Sequence, residues 1–247
     1  MNRGVDIVIP VFNEGGSIRR VLDSLKVIEQ PARILICYDF PEDDTLLALR
    51  DYDPTPLAIE LVRNRGRGAL GAVLSGFAAS NAPWVLVFPA DDDYNGPRLN
   101  ALLQRAEEGY DIVAPSRFMP GGSMQGCPWL KSVLVRSSAF FLYHVARLPT
   151  RDASNGLRLF SRRVLETISI ESTRGFAYSI ELLVKTHRLG WRIAETPFIW
   201  HERKSGKSRF LTVRWLPQYL RWLCYALATT FLRRGPHTVK LRPQPTS

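Results

Sequence analysis

Cysteine and histidine are scarce in this chain. Its three cysteines, Cys37, Cys127 and Cys224, are odd in number, widely spaced and without a CxxC pair. That excludes a disulfide framework and a cysteine zinc site, and it points to a reducing compartment. The four histidines, His144, His187, His201 and His237, have no ligand spacing and receive no metal role. A long apolar run is also missing. The uncharged stretch from Trp222 to Leu232 is eleven residues, where about twenty are needed to cross a bilayer. The amino terminus, MNRGVDIVIPVFNE, places an acid and a proline beside a very short apolar stretch. It does not read as a signal peptide, and a cytosolic chain is expected.

Acidic residues are lacking in one region only. The 247 residues hold 33 Lys and Arg against 23 Asp and Glu, a net charge of +10. From His201 onward there are ten bases against Glu202 alone, while the first 200 residues carry 23 bases and 22 acids. A protein that coats itself on nucleic acid is basic throughout, so that class is excluded. With 45% apolar and 23% charged residues the body is globular.

The first 120 residues alternate short apolar runs with helical patterns. Asp6 to Val11, Arg33 to Tyr38, Leu57 to Val62, Trp84 to Phe88 and Asp111 to Ala114 read as strands buried on both faces. Helices are expected at Ser17 to Leu25 with Ser17 as N-cap, Asp44 to Tyr52, Leu70 to Ser80, and Pro97 to Glu108 with proline in the first turn. Alternation of this kind implies a doubly wound, mostly parallel α/β sheet. Ligands bind such sheets beyond the carboxyl ends of the strands. The residues there are Phe12-Asn13-Glu14, Asp39, Asn64 to Gly68, Asp91-Asp92-Asp93 and Ser116-Arg117. The second half breaks the alternation, with an apolar stretch at Pro128 to Leu148, a polar turn at Arg151 to Phe160, a helix within Gly175 to Gly190 and a strand-like Trp191 to Trp200.

Three consecutive carboxylates in FPADDDY directly after a strand repel one another. Binding a hard divalent cation with oxygen ligands relieves that repulsion, and such a cation bridges to phosphate oxygens. The glycines Gly66, Gly68 and Gly71 open a helix but match neither a P-loop nor a dinucleotide fingerprint, so close packing explains them. Glu181 is either an acid facing the site or a partner for Lys185 four residues on.

VIPVFNE, Asp39 followed by Asp43 and Thr45, NRGRGALGAV, ADDDY, SRF with Gly121-Gly122, and RKSGKSRF occur in an informative order over Val5 to Phe210. Together they resemble family 2 glycosyltransferases of the GT-A fold, in particular the polyprenyl-phosphate sugar transferases. The resemblance implies a Rossmann-like nucleotide-binding half in which Pro10, Phe12, Glu14, Asp39 and Asp91 line the nucleotide. It implies Mg2+ or Mn2+ on Asp91, with Asp93 as a second ligand if the motif is shifted, or on Asp91 alone. Arg117, Asp152, Arg203, Ser208 and Arg209 then serve the phosphates of donor and acceptor, and Asp91, Asp93, Arg117 and Arg203 carry catalysis. Asp152 is expected to face the acceptor, beside Asn155 and Arg158 in the polar turn. The chain departs from the family with Tyr38-Asp39 in place of an acid pair and Pro89-Ala90-Asp91 in place of Asp-Ala-Asp.

The expected organisation is a catalytic domain at 1–210, amphipathic membrane-interface helices at 211–235 and a flexible tail at 236–247. Arg214, Gln218 and Arg221 form one polar stripe on an otherwise apolar helix, which Pro217 should kink or restart, and Arg233-Arg234 follow. That pattern fits a helix lying in the membrane interface. Trp129 to Leu148, with Lys131, Arg136 and Arg147, reads as a second one. The expected activity is hexose transfer from a nucleotide-sugar to a polyprenyl phosphate by a peripheral enzyme at the cytoplasmic membrane face, with no nucleic-acid partner. Two alternatives stand beside it. One is transfer to a sugar hydroxyl, since Gln218 to Trp222 matches the QxxRW pattern of polysaccharide synthases. The other is a non-catalytic membrane- or nucleic-acid-binding module.

Overall fold

A computed structural model describes residues 4–201 and 212–243. Strands β1 (Val5–Pro10), β2 (Ala32–Tyr38), β3 (Ala58–Arg63), β4 (Trp84–Val87) and β5 (Ile112–Ser116) alternate with helices α1 (Ile18–Leu25), α2 (Asp44–Leu49), α3 (Gly68–Ala79) and α4 (Leu99–Glu107). The second half adds β6 (Ser123–Gln125), α5 (Trp129–Phe140), β7 (Arg158–Ser161), α6 (Arg162–Thr167), α7 (Ala177–Arg188), β8 (Ile193–Pro197), β9 (Ile199–His201) and α8 (Thr212–Phe231). A wide π-type turn at Phe141–Val145 closes α5.

Seven strands form one sheet in the order β3-β2-β1-β4-β7-β5-β8, and β6 pairs with β9 in a separate ribbon. Only β7 runs antiparallel to its neighbours, β4 and β5. Side chains alternate across a strand, so β1 feeds two cores at once. Ile7 and Ile9 pack with Leu22 of α1 and Leu103 of α4 on one face. Val8 packs with Val73 of α3, Phe160 of β7 and Leu182 of α7 on the other. This two-sided cover is why the central strands read as continuous apolar runs.

The third strand departs from that expectation. It lies at the sheet edge with β2 as its partner in that sheet, and most of its residues are exposed. Edge position is a property of strand order, which local hydrophobicity does not encode. Ser17 does sit at the α1 N-cap, yet its hydroxyl donates to the Glu14 and Ala90 carbonyls (3.1 and 2.8 Å) instead of capping a helix amide. It thereby ties the loop after β1 to the end of β4.

The C-terminal segment is closer to the domain than an appendage would be. Helix α8 runs through Pro217, and its Trp222 and Ala226 are fully buried in the core beside α7. Residues 236–243, expected as part of a flexible tail, lie back on the domain. Ser169 N–H donates to the Lys240 carbonyl (3.1 Å), Arg242 N–H donates to the Thr167 carbonyl (2.9 Å), and Val239 is buried. Among the described residues no helix is long and apolar enough to cross a membrane. Trp129, Val133, Leu134 and Phe140 of α5 and Phe231 of α8 are large apolar side chains left exposed.

Candidate active site

The carboxyl ends of β1, β2 and β4 lie side by side in the sheet, and each delivers a different polar group. After β1 the chain turns at Asn13, whose φ of 53° is the left-handed conformation that asparagine tolerates. The turn is held from α2. Asn13 N–H donates to both Asp43 carboxylate oxygens (3.1 Å each), Glu14 N–H to Thr45 Oγ1 (2.9 Å) and Gly15 N–H to Asp44 Oδ1 (2.8 Å). Asp43 is fully buried and also caps α2 through Thr45 N–H. Asp43 and Thr45 therefore shape the loop that presents Phe12 and Glu14. Phe12 is half exposed and meets Phe40 edge-on, with ring centres 5.5 Å apart.

Asp39, at the end of β2, accepts a 2.5 Å bond from Asn64 Nδ2. Asn64 also holds its own loop, accepting from Gly66 N–H (2.8 Å) and donating to the Gly68 carbonyl (3.2 Å). A Cβ on Gly71 would stand 2.7 Å from Asn64 Oδ1 and 2.8 Å from the Gly66 backbone. Gly66 and Gly71 thus serve close approach, as expected, whereas Gly68 has open space around it and instead takes a φ of 58°.

The three carboxylates after β4 have three separate fates. Asp92 turns inward and accepts from Tyr94 N–H, Asn95 N–H and Asn95 Nδ2 (2.8–3.1 Å). Burial pushes its carboxyl above the usual range, against the lowering effect of those bonds. Asn95 in turn clamps Ile199 of β9, donating to its carbonyl (2.7 Å) and accepting from its N–H (3.2 Å). Asp93 pairs with Arg20 of α1 at 2.9 Å, and Asp91 is exposed. Among the described residues no three His, Cys, Asp or Glu side chains gather into a metal cage. A divalent ion arriving with a diphosphate needs only one or two carboxylates, the phosphate oxygens and water completing its shell. Asp91, alone or with Asp93, fits that donor set.

The structure joins two residues expected to contact phosphate independently. Arg117 donates to Asp152 from Nε (2.6 Å), Nη2 (2.8 Å) and its own N–H (3.0 Å), with a further bond to Ser154 Oγ (2.9 Å). Asp152 is fully buried. Expected to face the acceptor, it fixes the orientation of Arg117 here, because a bidentate fork is both strong and directional. Beneath it lies Arg158, also fully buried, donating to the Asp152, Ala153 and Ser179 carbonyls (3.3, 3.2 and 2.6 Å). Burial pulls its guanidinium down to about 10, with the nearby Asp152 charge opposing. Glu181 is the partner of Lys185 at 2.7 Å, both fully buried, and not a group facing the site. Arg203, Ser208 and Arg209 lie outside the described residues.

Beyond Arg117 opens a cavity of about 290 Å3 lined by Phe118, Arg136, Phe140, Tyr143, His144 and Arg151. Arg117 and Arg136 lie over the Phe118 ring at 5.2 and 5.3 Å, and Arg151 lies over Tyr143 at 5.0 Å while pairing with Glu195. Such a cavity offers both positive charge and apolar surface to a ligand. The sequence reading missed it. Its residues come from the turn after β5, from α5 with the π-type turn that closes it, and from Arg151, and the α5 pattern alone read as a membrane helix.

The mostly parallel sheet, with an acidic turn after its fourth strand and an arginine fork after its fifth, has the fold of GT-A glycosyltransferases. Residues 6–169 match the sequence profile of Glycosyl transferase family 2, and the chain belongs to that family. It is 27% identical over 214 residues to the polyprenol monophosphomannose synthase of Mycolicibacterium smegmatis, covering 82% of this chain and 79% of that one. It is 27% identical over 212 residues to the undecaprenyl-phosphate mannosyltransferase of Micrococcus luteus, covering 82% and 85%. Among solved structures, glucosyl-3-phosphoglycerate synthase of Mycobacterium tuberculosis, in complex with Mn2+, UDP and glucosyl-3-phosphoglycerate, superposes with a TM-score of 0.66 at 18% identity. That match covers 92% of this chain and 80% of the other.

Proposed function

We propose that this chain transfers a hexose, from a GDP-mannose or UDP-glucose type donor, to a polyprenyl phosphate at the cytoplasmic face of a membrane, with inversion at the anomeric carbon. The observation that carries the reading is the cavity beside Arg117, whose arginines and aromatic rings suit a phosphate attached to an isoprenoid, next to a helix with an exposed apolar face. Both curated relatives act, by their names, on lipid phosphates of this class. The nucleotide lies against Phe12, Glu14 and Asp39, in the loop held by Asp43 and Thr45. Asp91, with or without Asp93, would hold a divalent cation, Mg2+ or Mn2+, and the ion would neutralise charge on the leaving diphosphate.

The acceptor phosphate is already an anion near neutral pH, so its oxygen attacks the anomeric carbon without a general base. One bond forms from phosphate oxygen to the anomeric carbon, and the bond to the nucleoside diphosphate breaks. Arg117, fixed by Asp152 through Nε and Nη2, has Nη1 left for the phosphates, aided by Arg203 and Arg209 from the segment after β9. A sugar-hydroxyl acceptor would require a base. The buried acid considered for that task, Glu181, is committed to Lys185 and to the Glu171 and Ser172 amides (2.6 and 2.7 Å).

The test is incubation of purified protein with labelled GDP-mannose or UDP-glucose, polyprenyl phosphate and Mg2+ or Mn2+. Label entering the organic phase supports the reading, and a water-soluble product replaces it with the hydroxyl-acceptor alternative. No transfer from any common donor sinks it. Arg203→Ala should abolish the transfer that wild type shows.

A further inference from the structure

Gln218, Arg221 and Trp222 of α8 spell the QxxRW pattern, and the proposed activity leaves them without a task. Their spacing, i, i+3 and i+4, puts them on one side of the helix. That side faces three consecutive residues. Arg221 Nη2 donates to Glu171 Oε1 (3.0 Å), Trp222 Nε1 donates to Ser172 Oγ (2.9 Å), and Gln218 Nε2 donates to Thr173 Oγ1 (2.9 Å). The Thr173 N–H approaches Gln218 Oε1 in return, at 3.4 Å. Two of these residues, Glu171 and Ser172, are also held by α7. Glu171 N–H and Ser172 N–H donate to the two oxygens of Glu181 (2.6 and 2.7 Å). Lys185 Nζ reaches Glu171 Oε2, Glu181 Oε1 and the Ser169 carbonyl (2.6–2.7 Å).

The gripped segment leads directly into the catalytic side of the domain. Two residues on, Gly175 turns the chain with φ of 59° into the first turn of α7. There the Ser179 carbonyl accepts from Arg158 (2.6 Å) and Ser179 Oγ donates to the Asn155 carbonyl (3.3 Å). Arg158 holds the Asp152 and Ala153 carbonyls, and Asp152 holds Arg117. Trp222 itself is fully buried, so its indole offers no face on which a sugar could stack.

We infer that Gln218, Arg221 and Trp222 are positioning residues: they clasp residues 171–173 between α7 and α8 and thereby fix the Asp152–Arg117 fork and the start of α8. The catalytic consequence rests on the activity proposed above.

The experiment compares Arg221→Ala, Arg221→Lys, Gln218→Ala and the loop-side Glu171→Gln in the full chain. Arg221→Ala and Glu171→Gln should each lower kcat about tenfold while UDP and GDP affinities, by calorimetry, stay within twofold. The double variant should be no worse than either single one, the non-additivity expected of a shared contact. Arg221→Lys should recover part of the loss. Leu227→Ala, on the same helix and partly buried, is the control: it lowers Tm but leaves kcat unchanged. Amide exchange should rise at 171–179 and at 152–155 in Arg221→Ala. If Arg221→Ala raises only the acceptor KM while Glu171→Gln is silent, the motif touches acceptor and the clasp is overturned. If wild type transfers no sugar, the proposed function falls, and exchange at 152–155 still decides the clasp: a rise upholds it, no change overturns it.

Discussion

The two ends of one sheet treat acidic side chains in opposite ways. At the amino end of β1, Asp6 is buried and accepts from Arg33 Nε and Nη2 (3.0 and 2.8 Å), Ser80 Oγ (2.6 Å), and the Asn81 and Ala82 amides (3.0 and 3.1 Å). Burial alone would raise its carboxyl, but these five donors outweigh it and hold the group down at about 2. At the carboxyl end of β4, Asp91 is exposed and Asp93 is shared with an exposed Arg20. A carboxylate saturated by fixed donors stabilises the fold and has no capacity left for a ligand. One at the surface, beside a buried neighbour that anchors its loop, lies within reach of solvent and of a cation.

The largest effect separates the ends by function. Asp91→Asn is expected to lower transfer about 10²- to 10³-fold, the scale of losing one stabiliser of developing charge. Its unfolding free energy should change by no more than about 0.5 kcal/mol, as for other surface substitutions. Transfer rates and urea midpoints on the same preparation check both halves, and full activity would remove Asp91 from the mechanism.

Asp6→Asn is the mirror image. Breaking this charge-assisted network should cost about 2–4 kcal/mol and leave nucleotide affinity unchanged. Its pH dependence has a definite sign. The folded carboxyl titrates near 2, below its ordinary value near 4, so its contribution is complete above about pH 4 and is lost as pH falls towards 2. Urea midpoints between pH 7 and 3 should fall more steeply in wild type than in Asp6→Asn, and parallel curves would refute the assignment.

The same contrast explains what could be read in the sequence. Strands β1, β2, β4 and β5 are buried on both faces, so their apolar runs mark them directly, and the ligand-facing end then follows as the carboxyl end of the parallel strands. Asp43 and Thr45 also leave a local trace, since an Asp two residues before a Thr that begins a helix is a capping pattern. Contacts between distant segments leave none. The antiparallel insertion of β7, the edge position of β3 and the pairing of Arg117 with Asp152, 35 residues apart, all depend on topology. Helix α8 shows the limit of periodicity: it revealed a polar stripe, but not that Gln218 and Arg221 use it to bond Thr173 and Glu171, with Arg221 still half exposed.

A third comparison sets the exposed side of α5 against the buried side of α8. If α5 meets a bilayer, Trp129→Glu with Phe140→Glu should weaken binding to vesicles of anionic lipid about tenfold, because the apolar area these side chains bury drives insertion. Soluble nucleotide binding should not change. Undiminished vesicle binding in co-sedimentation would move the membrane contact elsewhere.

The smallest effect addresses the acidic turn itself. Arg20 and Asp93 form a surface ion pair, with side chains 65% and 22% exposed, and such pairs contribute about 0–1 kcal/mol. Arg20→Ala therefore leaves stability nearly unaltered but frees Asp93 from its cation. If Asp93 is the second ligand, removing that competitor should tighten Mn2+ binding in the presence of nucleoside diphosphate by a few-fold, within the same free-energy scale. If Asp91 binds the metal alone, the affinity should not move. Titrating Mn2+ by calorimetry into wild type and Arg20→Ala, each saturated with UDP or GDP, distinguishes a shifted two-carboxylate motif from a single exposed aspartate at the functional end of the sheet.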